Sequence, residues 1–157
     1  MRVEVSYGLA RRGLPAPLAF GCWIDRTGRI LDVDGVVSIR VAGAVEGAAL
    51  NRRFRHLSGP TNVLSFPAAP PGRGERFWGD IVLCGPVVTA EAKSFGRPPR
   101  HHFAHLTVHG FLHLLGYDHE RPESRRLMET LEIRLLGGLG IPDPYEERPP
   151  GRCSGSR

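Results

Sequence analysis

The stretch RHHFAHLTVHGFLHLLGYDH occupies residues 100–119 and dominates the predicted architecture. It is apolar enough before Gly116 to form a helix that other elements cover on most sides. The apolar side chains belong to Phe103, Ala104, Leu106, Val108, Phe111, Leu112, Leu114 and Leu115. We therefore expect a central, nearly buried helix over about residues 100–115.

The segments around this helix indicate an α+β fold. Alternating or β-branched residues predict four strands, at 3–7, 36–41, 61–66 and 78–84. Further helices are expected at 46–56, 85–95 and 122–136, together with a short helix at 17–31 that Gly21 and Gly28 interrupt. We predict a mixed sheet of about four strands packed with about five helices, and a metal site at the end of the central helix.

A single domain is expected over residues 1–147. Residues 148–157 contain three arginines and no acid, so we expect a disordered basic tail. That tail supplies much of the formal net charge of +5, and the charge is therefore weak support for nucleic-acid binding. Residues 67–76 are rich in proline and glycine, and we expect them to form a mobile loop.

The sequence predicts a cytoplasmic protein that does not enter membranes. No run approaches the roughly 18 apolar residues needed to cross a bilayer, and the amino terminus lacks the apolar segment of a signal peptide. The three cysteines are far apart and form no metal or redox motif. We expect reduced thiols, with Cys22 and Cys84 in the core and Cys153 in the tail.

Three histidines, His109, His113 and His119, have the spacing of a metal site. On a helix, His109 and His113 lie about 6 Å apart along the axis and roughly 40° apart in rotation, so both imidazoles can reach one cation. If the helix continued, His119 would lie about 240° further round, on the far side. Gly116 is placed to end the helix in a left-handed conformation that turns the chain back.

The chemistry of this triad favours a catalytic metal. One histidine on an apolar face is more often a core residue, but three at this spacing, with a glycine between them, indicate a shared ligand. Three histidines with an open position are a common arrangement in catalytic zinc sites, whereas structural sites are usually closed by four ligands. We predict one Zn²⁺ per chain, and three imidazoles also suit Ni²⁺ or another divalent transition metal.

The other histidines of the stretch have open interpretations. His105 lies one turn before His109, where it fits a fourth metal contact, a group that orients a ligand, a cap, or an ordinary core or surface residue. His101 and His102 follow a proline pair and are expected at a solvated helix start.

The same spacing occurs in metzincin proteases, which is a competing interpretation. Those enzymes carry a glutamate next to the first histidine as general base, and that position is Gly110 here. Without the carboxylate their mechanism lacks a proton acceptor, so a peptidase is disfavoured.

Residues 109–119 resemble the signature of the YbeY family, bacterial rRNA maturation factors regarded as metal-dependent endoribonucleases. Further blocks agree with that family in order: LNRRFR at 50–55, PTNVLSFP at 60–67, GDI at 79–81, and METLE at 128–132 followed by LG at 139–140 and DPY at 143–145. The resemblance extends over about residues 3–146. Phe54 departs from it, since tyrosine is common at that position.

The resemblance implies that His109, His113 and His119 bind zinc and that Arg55 is a functional residue beside the metal. Zinc lowers the pKa of a bound water toward 7 and so supplies hydroxide, while arginine holds and neutralises the phosphodiester. The implied catalytic residues are thus Arg55 and, as a metal ligand, His109.

Other contributions to the predicted cleft stay open. Asn62 and Ser65 are candidates for substrate binding, although strand residues of this kind are often simply core. The general base is undefined, and His105, Asp118 and Asp80 are its candidates. Asp118 alternatively orients His119, and Asp80 alternatively forms a turn or cap.

The resemblance also implies an activity and partners. The expected function is a single-strand-specific endoribonuclease in 16S rRNA 3′-end maturation and ribosome quality control. Its expected partners are single-stranded RNA and the ribosome or ribosomal proteins, and the protein itself is expected to be a monomer. The alternative is a ribosome-assembly factor that binds without catalysis and whose metal is structural.

Overall fold

The computed structural model describes residues 1–70 and 72–146. In chain order the elements are β1 (Arg2–Tyr7), α1 (Pro17–Leu31), β2 (Val36–Ala42), α2 (Ala44–Arg55), β3 (Val63–Pro67), β4 (Phe77–Cys84), α3 (Gly85–Ser94), α4 (Pro99–Leu114) and α5 (Pro122–Gly138). Within the described residues there are thus four strands and five helices, and the predicted α+β fold is confirmed. The tail predicted at 148–157 lies outside the described residues.

The sheet is mixed, with the strand order β1-β2-β4-β3. Strands β1, β2 and β4 run parallel, and β3 runs antiparallel to β4 at one edge. Ile39 of β2 pairs with Val5 on one side and Ile81 on the other. Ile39 and Ile81 are fully buried in the main core cluster, which also contains the apolar side chains of α4. The sheet therefore provides the surface on which α4 packs.

The helix α4 is the predicted central helix. Its side chains of Phe103, Phe111 and Leu112 are fully buried, and α1, α3 and α5 also contact it. At Gly110 an added Cβ would lie 3.0 Å from Ile81 Cγ2 and 3.1 Å from Ser65 Oγ. A side chain at position 110 would therefore force the Ile81 and Ser65 side chains to shift by a few tenths of an ångström.

Helix α2 covers the opposite face of the sheet. Leu50 of α2 and Phe66 of β3 pack against a second, smaller core cluster that contains Leu64 and Val82. Because α2 ends at Arg55 beside the β3 edge, its last turn lies next to the carboxyl-terminal end of α4.

Two expectations about α1 were wrong. The helix continues through Gly21 and Gly28, because Phe20 and Ile24 are fully buried and their packing outweighs the weak helix propensity of glycine. Cys22 is exposed rather than in the core, since it lies off the buried stripe of this amphipathic helix, whereas Cys84 is buried as expected. Within the part of the chain that the structure describes, no helix is long and apolar enough to span a membrane.

Candidate metal centre

The carboxyl-terminal end of α4 turns sharply at Gly116. The glycine has a positive φ of 100°, which side-chain-bearing residues rarely adopt. Its N–H donates to His113 O at 3.0 Å, and the N–H of Tyr117 donates to Leu112 O at 3.0 Å. These two bonds form a Schellman motif. The helix ends where predicted, and the chain turns back to bring His119 beside α4.

The predicted triad converges in space. The ring centroids of His109, His113 and His119 are separated by 4.6, 5.0 and 5.7 Å, and one nitrogen of each ring lies within 4.8 Å of the others. His109 Nε2 and His113 Nε2 are 3.1 Å apart. Two nitrogens bound to one tetrahedral zinc are about 3.3 Å apart, so the donor set fits such an ion.

A buried carboxylate orients the first histidine. Glu132 of α5 is fully buried, and its Oε1 lies 2.5 Å from His109 Nδ1. Its Oε2 lies 3.0 Å from His105 Nε2 and accepts a hydrogen bond from the Tyr145 hydroxyl. Burial alone would raise the pKa of Glu132, but the hydrogen bonds from both histidines hold that pKa at about 2.

The ionised carboxylate decides the tautomer of His109. Because Glu132 accepts at Nδ1, the ring proton of His109 lies there and Nε2 carries a free lone pair directed at His113. A carboxylate that orients a metal-ligating histidine in this manner also increases its basicity. Glu132 thus prepares His109 to bind a cation through Nε2.

The second histidine is kept in the neutral form that a cation requires. Burial, followed by the proximity of His109 and His119, lowers the pKa of His113 to about 4. His119 is exposed, so the triad is open to solvent on that side.

A cleft of about 480 Å³ opens from the triad toward the β3 edge. Arg55 lines it together with Phe54, Ser65, Phe66, His113 and His119, among others. The predicted functional arginine and two of the three predicted ligands therefore share one cavity. Of the two substrate-binding candidates, Ser65 lines the cleft, but its hydroxyl donates to Gly110 O at 3.1 Å and thereby ties β3 to α4.

Asn62 has a different location. Its Nδ2 donates to Glu91 Oε2 at 3.3 Å, and its Oδ1 accepts from the N–H of Val63 at 2.7 Å. The structure therefore places its carboxamide between β3 and α3, outside the lining of the cleft.

The three candidates for the general base also lie outside this lining. His105 contacts Glu132 and Tyr145. Asp118 accepts from the N–H of Glu120 at 3.2 Å in an exposed turn. Asp80 is not in a turn but within β4, where it pairs with Phe66. Side chains alternate along a strand, so Asp80 lies on the face of Val82 and α2, away from α4.

The expectation of a solvated start for α4 is wrong at His102. This residue is only 3% exposed, and its ring packs edge-on against Phe95 at 5.7 Å. It belongs to the face of α4 that α3 covers, whereas His101 is half-buried and lines a separate cavity.

Sequence reasoning missed Glu132 and Tyr145. A signal for Glu132 was present, because Met128, Glu132 and Leu135 follow one another at helical spacing on the buried face of α5. A glutamate within such a stripe needs a polar partner. Nothing in the sequence identified that partner, since His109 lies on another helix.

Comparison with known proteins identifies the family. Residues 24–140 match the family model described as Endoribonuclease YbeY. The chain is 49% identical over 150 residues to Endoribonuclease YbeY of Stenotrophomonas maltophilia (strain K279a), which covers 91% of this chain and 92% of that protein. It is 49% identical over 149 residues to the protein of the same name from Alkalilimnicola ehrlichii, with 91% and 90% coverage.

A solved structure supports the fold alone. The solution structure of TM1509 from Thermotoga maritima matches with a TM-score of 0.56 at 22% identity, covering 92% of this chain and 99% of that chain. The family model and the relatives together extend over the sheet, the triad and α5. This chain therefore belongs to the endoribonuclease YbeY family.

Proposed function

We propose that this protein is a zinc-dependent endoribonuclease that cuts single-stranded rRNA in the cleft beside Arg55, and that it acts on the 3′ end of 16S rRNA in ribosome maturation and quality control. The relatives' shared name supports an RNA substrate that is cut internally, and the resemblance of residues 109–119 to rRNA maturation factors supports rRNA as that substrate. The observation that carries the proposal is the cavity that Arg55 shares with His113 and His119.

The charge of the cleft suits a phosphodiester. Among the described residues that line it, none is a carboxylate, and Arg55 is the cation. A guanidinium binds phosphate oxygens through two parallel hydrogen bonds and offsets the charge that grows on them during the reaction. A peptidase is disfavoured by the same lining, because a carboxylate base is missing from it and position 110 faces Ile81 and Ser65.

Each residue of the centre has a separate role in this proposal. His109, His113 and His119 hold the ion, and Glu132 keeps the proton of His109 on Nδ1 so that Nε2 is free to bind. When bound, zinc acts as a Lewis acid that activates water for attack on the phosphodiester. Arg55 binds and orients the phosphate in the cleft.

The test combines elemental analysis with cleavage of single-stranded rRNA fragments by three variants. The unaltered protein should contain about one zinc per chain and cleave RNA, and His113→Ala should lose both properties. Arg55→Glu should keep its zinc and lose about 100-fold or more of the cleavage rate, because a transition-state contact is removed. Arg52→Glu, on the same turn of α2 but in a different cavity, is the matched control.

Two results would overturn the proposal. Cleavage that persists in His113→Ala would come from a contaminating nuclease or from chemistry outside the triad. Ribosome binding by a zinc-loaded protein that never cleaves RNA, unchanged in Arg55→Glu, would instead indicate an assembly factor with a structural metal.

A further inference from the structure

A large aromatic side chain is exposed beside Arg55. Phe54 lies in the last turn of α2 and lines the same cleft as Arg55 and His113. Half of its surface, 50%, is open to solvent. The helix places an apolar ring at the rim of a cleft whose proposed substrate is a nucleic acid.

The Phe54 ring is held in position rather than free. Phe66 of β3 contacts it at 4.9 Å between centroids, with an interplanar angle of 66°, a favourable edge-to-face arrangement. Phe66 itself packs against the smaller core cluster under α2. The Phe54 ring is therefore preorganised, and little conformational entropy is lost when a flat partner binds to it.

Cations flank Phe54 in the chain. Arg53 Cζ lies 5.1 Å from the centroid of the Phe54 ring, and Arg53 and Arg55 directly precede and follow Phe54 in the last turn of α2. The only acid in α2 is Glu46, in the first turn, where it pairs with Arg40. An aromatic ring among phosphate-binding cations is the arrangement by which proteins bind single-stranded nucleic acids, with the base stacked and the backbone neutralised.

We propose that Phe54 is a substrate-binding residue on which a nucleobase adjacent to the scissile phosphodiester stacks, and that this stack selects single-stranded RNA. The inference rests on the proposed endoribonuclease function and names the contact responsible for its specificity. A base inside a duplex is already stacked between its neighbours and paired, so it cannot lie on Phe54. An unpaired base has a free face for the ring.

Binding, rather than cleavage, is the decisive measurement. The full chain is titrated, with EDTA present to prevent cleavage, into fluorescein-labelled single-stranded RNA and into blunt-ended duplex RNA without a loop, and fluorescence anisotropy reports the Kd of each. Phe54→Leu should weaken binding of the single strand about 5- to 100-fold, the range for losing one base stack, and should change duplex binding less than about twofold. Phe95→Leu is the matched control, because Phe95 is also 50% exposed and lies 5.3 Å from Arg97 Cζ but lines another cavity.

Oligonucleotides with one abasic nucleotide make the test specific. If a base stacks on Phe54, removing that base at one abasic position should weaken binding by the unaltered protein as much as Phe54→Leu does. The same abasic position should not lower the affinity of Phe54→Leu any further. Phe54→Trp should retain the affinity, and single-stranded RNA should quench its additional fluorescence. This second variant keeps the test decisive if leucine disturbs the local packing.

The outcomes distinguish this inference from the function on which it rests. Equal single-strand affinity of Phe54→Leu and the unaltered protein, or additive effects at every abasic position, would overturn the stack even if RNA is cleaved. Coupled loss of binding without any metal-dependent cleavage would support the stack and overturn the nuclease proposal.

Discussion

The two ends of α4 carry the same residue type in different surroundings. Near its amino-terminal end, His102 Nε2 lies 3.8 Å from Glu91, and His105 Nε2 lies 3.0 Å from Glu132. At its carboxyl-terminal end, His113 Nε2 faces another imidazole, that of His109, at 3.1 Å. A carboxylate faces Nε2 of His102 and Nε2 of His105, whereas the carboxylate that faces His109 takes Nδ1 and leaves Nε2 directed at His113. The neighbours of a histidine, and not its presence on the helix, therefore decide whether it can hold a metal.

Burial does not distinguish the two ends. It is the largest cause that lowers the pKa of both His102 and His113 to about 4. A neutral imidazole is necessary for metal binding but is not sufficient, because the ion also needs other donors at tetrahedral positions. The difference between the ends is thus geometric, and mutations at each end should separate metal binding from stability.

The largest effect is expected for His113→Ala. Removing one of three converging donors should weaken zinc binding more than about 100-fold, beyond the range for residues that merely orient a ligand. Competition with a chromophoric chelator measures the affinity. The control is His101→Ala, a half-buried histidine at the other end of α4. Equal zinc affinities in the two variants would show that the two ends of α4 do not differ in zinc binding.

An intermediate effect is expected for Glu132→Gln. Glutamine preserves the volume but removes the charge that holds the proton of His109 on Nδ1, so zinc affinity should fall about 10- to 100-fold. Long-range ¹H–¹⁵N spectra of the metal-free protein should show His109 changing from one tautomer to a mixture. Glu123→Gln, in the first turn of the same helix, is the control. An unchanged tautomer together with an unchanged zinc Kd would refute the role of Glu132.

The smallest effect on the site is expected for His102→Phe. Zinc affinity should stay within about twofold, because His102 is not among the converging donors. The change should instead alter how stability depends on pH. Arg97 and His105 face His102 and oppose its protonation, while Glu91 lies 3.8 Å away.

The direction of this pH effect follows from proton binding. The pKa of His102 is about 4 in the folded protein against 6.5 without the fold, so the unfolded chain binds the proton more readily between these values. The stabilising contribution is complete above pH 6.5 and is lost as the pH falls toward 4, by at most about 3 kcal/mol. Urea unfolding of the metal-free protein should show a shallower pH dependence in His102→Phe than in the unaltered protein. If the stability of both proteins depended on pH in the same way, the lowered pKa assigned to His102 would be wrong.

Most of the fold could be predicted because its elements have strong local patterns. Alternating and β-branched residues placed all four strands, and prolines placed the starts of α3 and α5. The prediction failed for the environments of two single residues. Cys22 was expected in the core and is exposed, whereas His102 was expected in solvent and is buried. The exposure of Cys22 was readable from helical spacing once α1 is taken as one continuous helix, because position 22 lies off the stripe of Phe20, Trp23 and Ile24. The burial of His102 was not readable, because α3 covers it through packing between separate segments.

The sequence by itself determined that His109, His113 and His119 converge, since they lie within residues 109–119 and helix geometry with a turn at Gly116 is enough to bring them together. Only the tertiary structure decided which side chains from other helices and strands surround these histidines and their cleft. Glu132 reaches His109 because α5 packs on α4, and Phe54 meets Phe66 because α2 packs on β3. Short-range geometry follows from backbone periodicity, whereas contacts between distant segments depend on how the whole core packs.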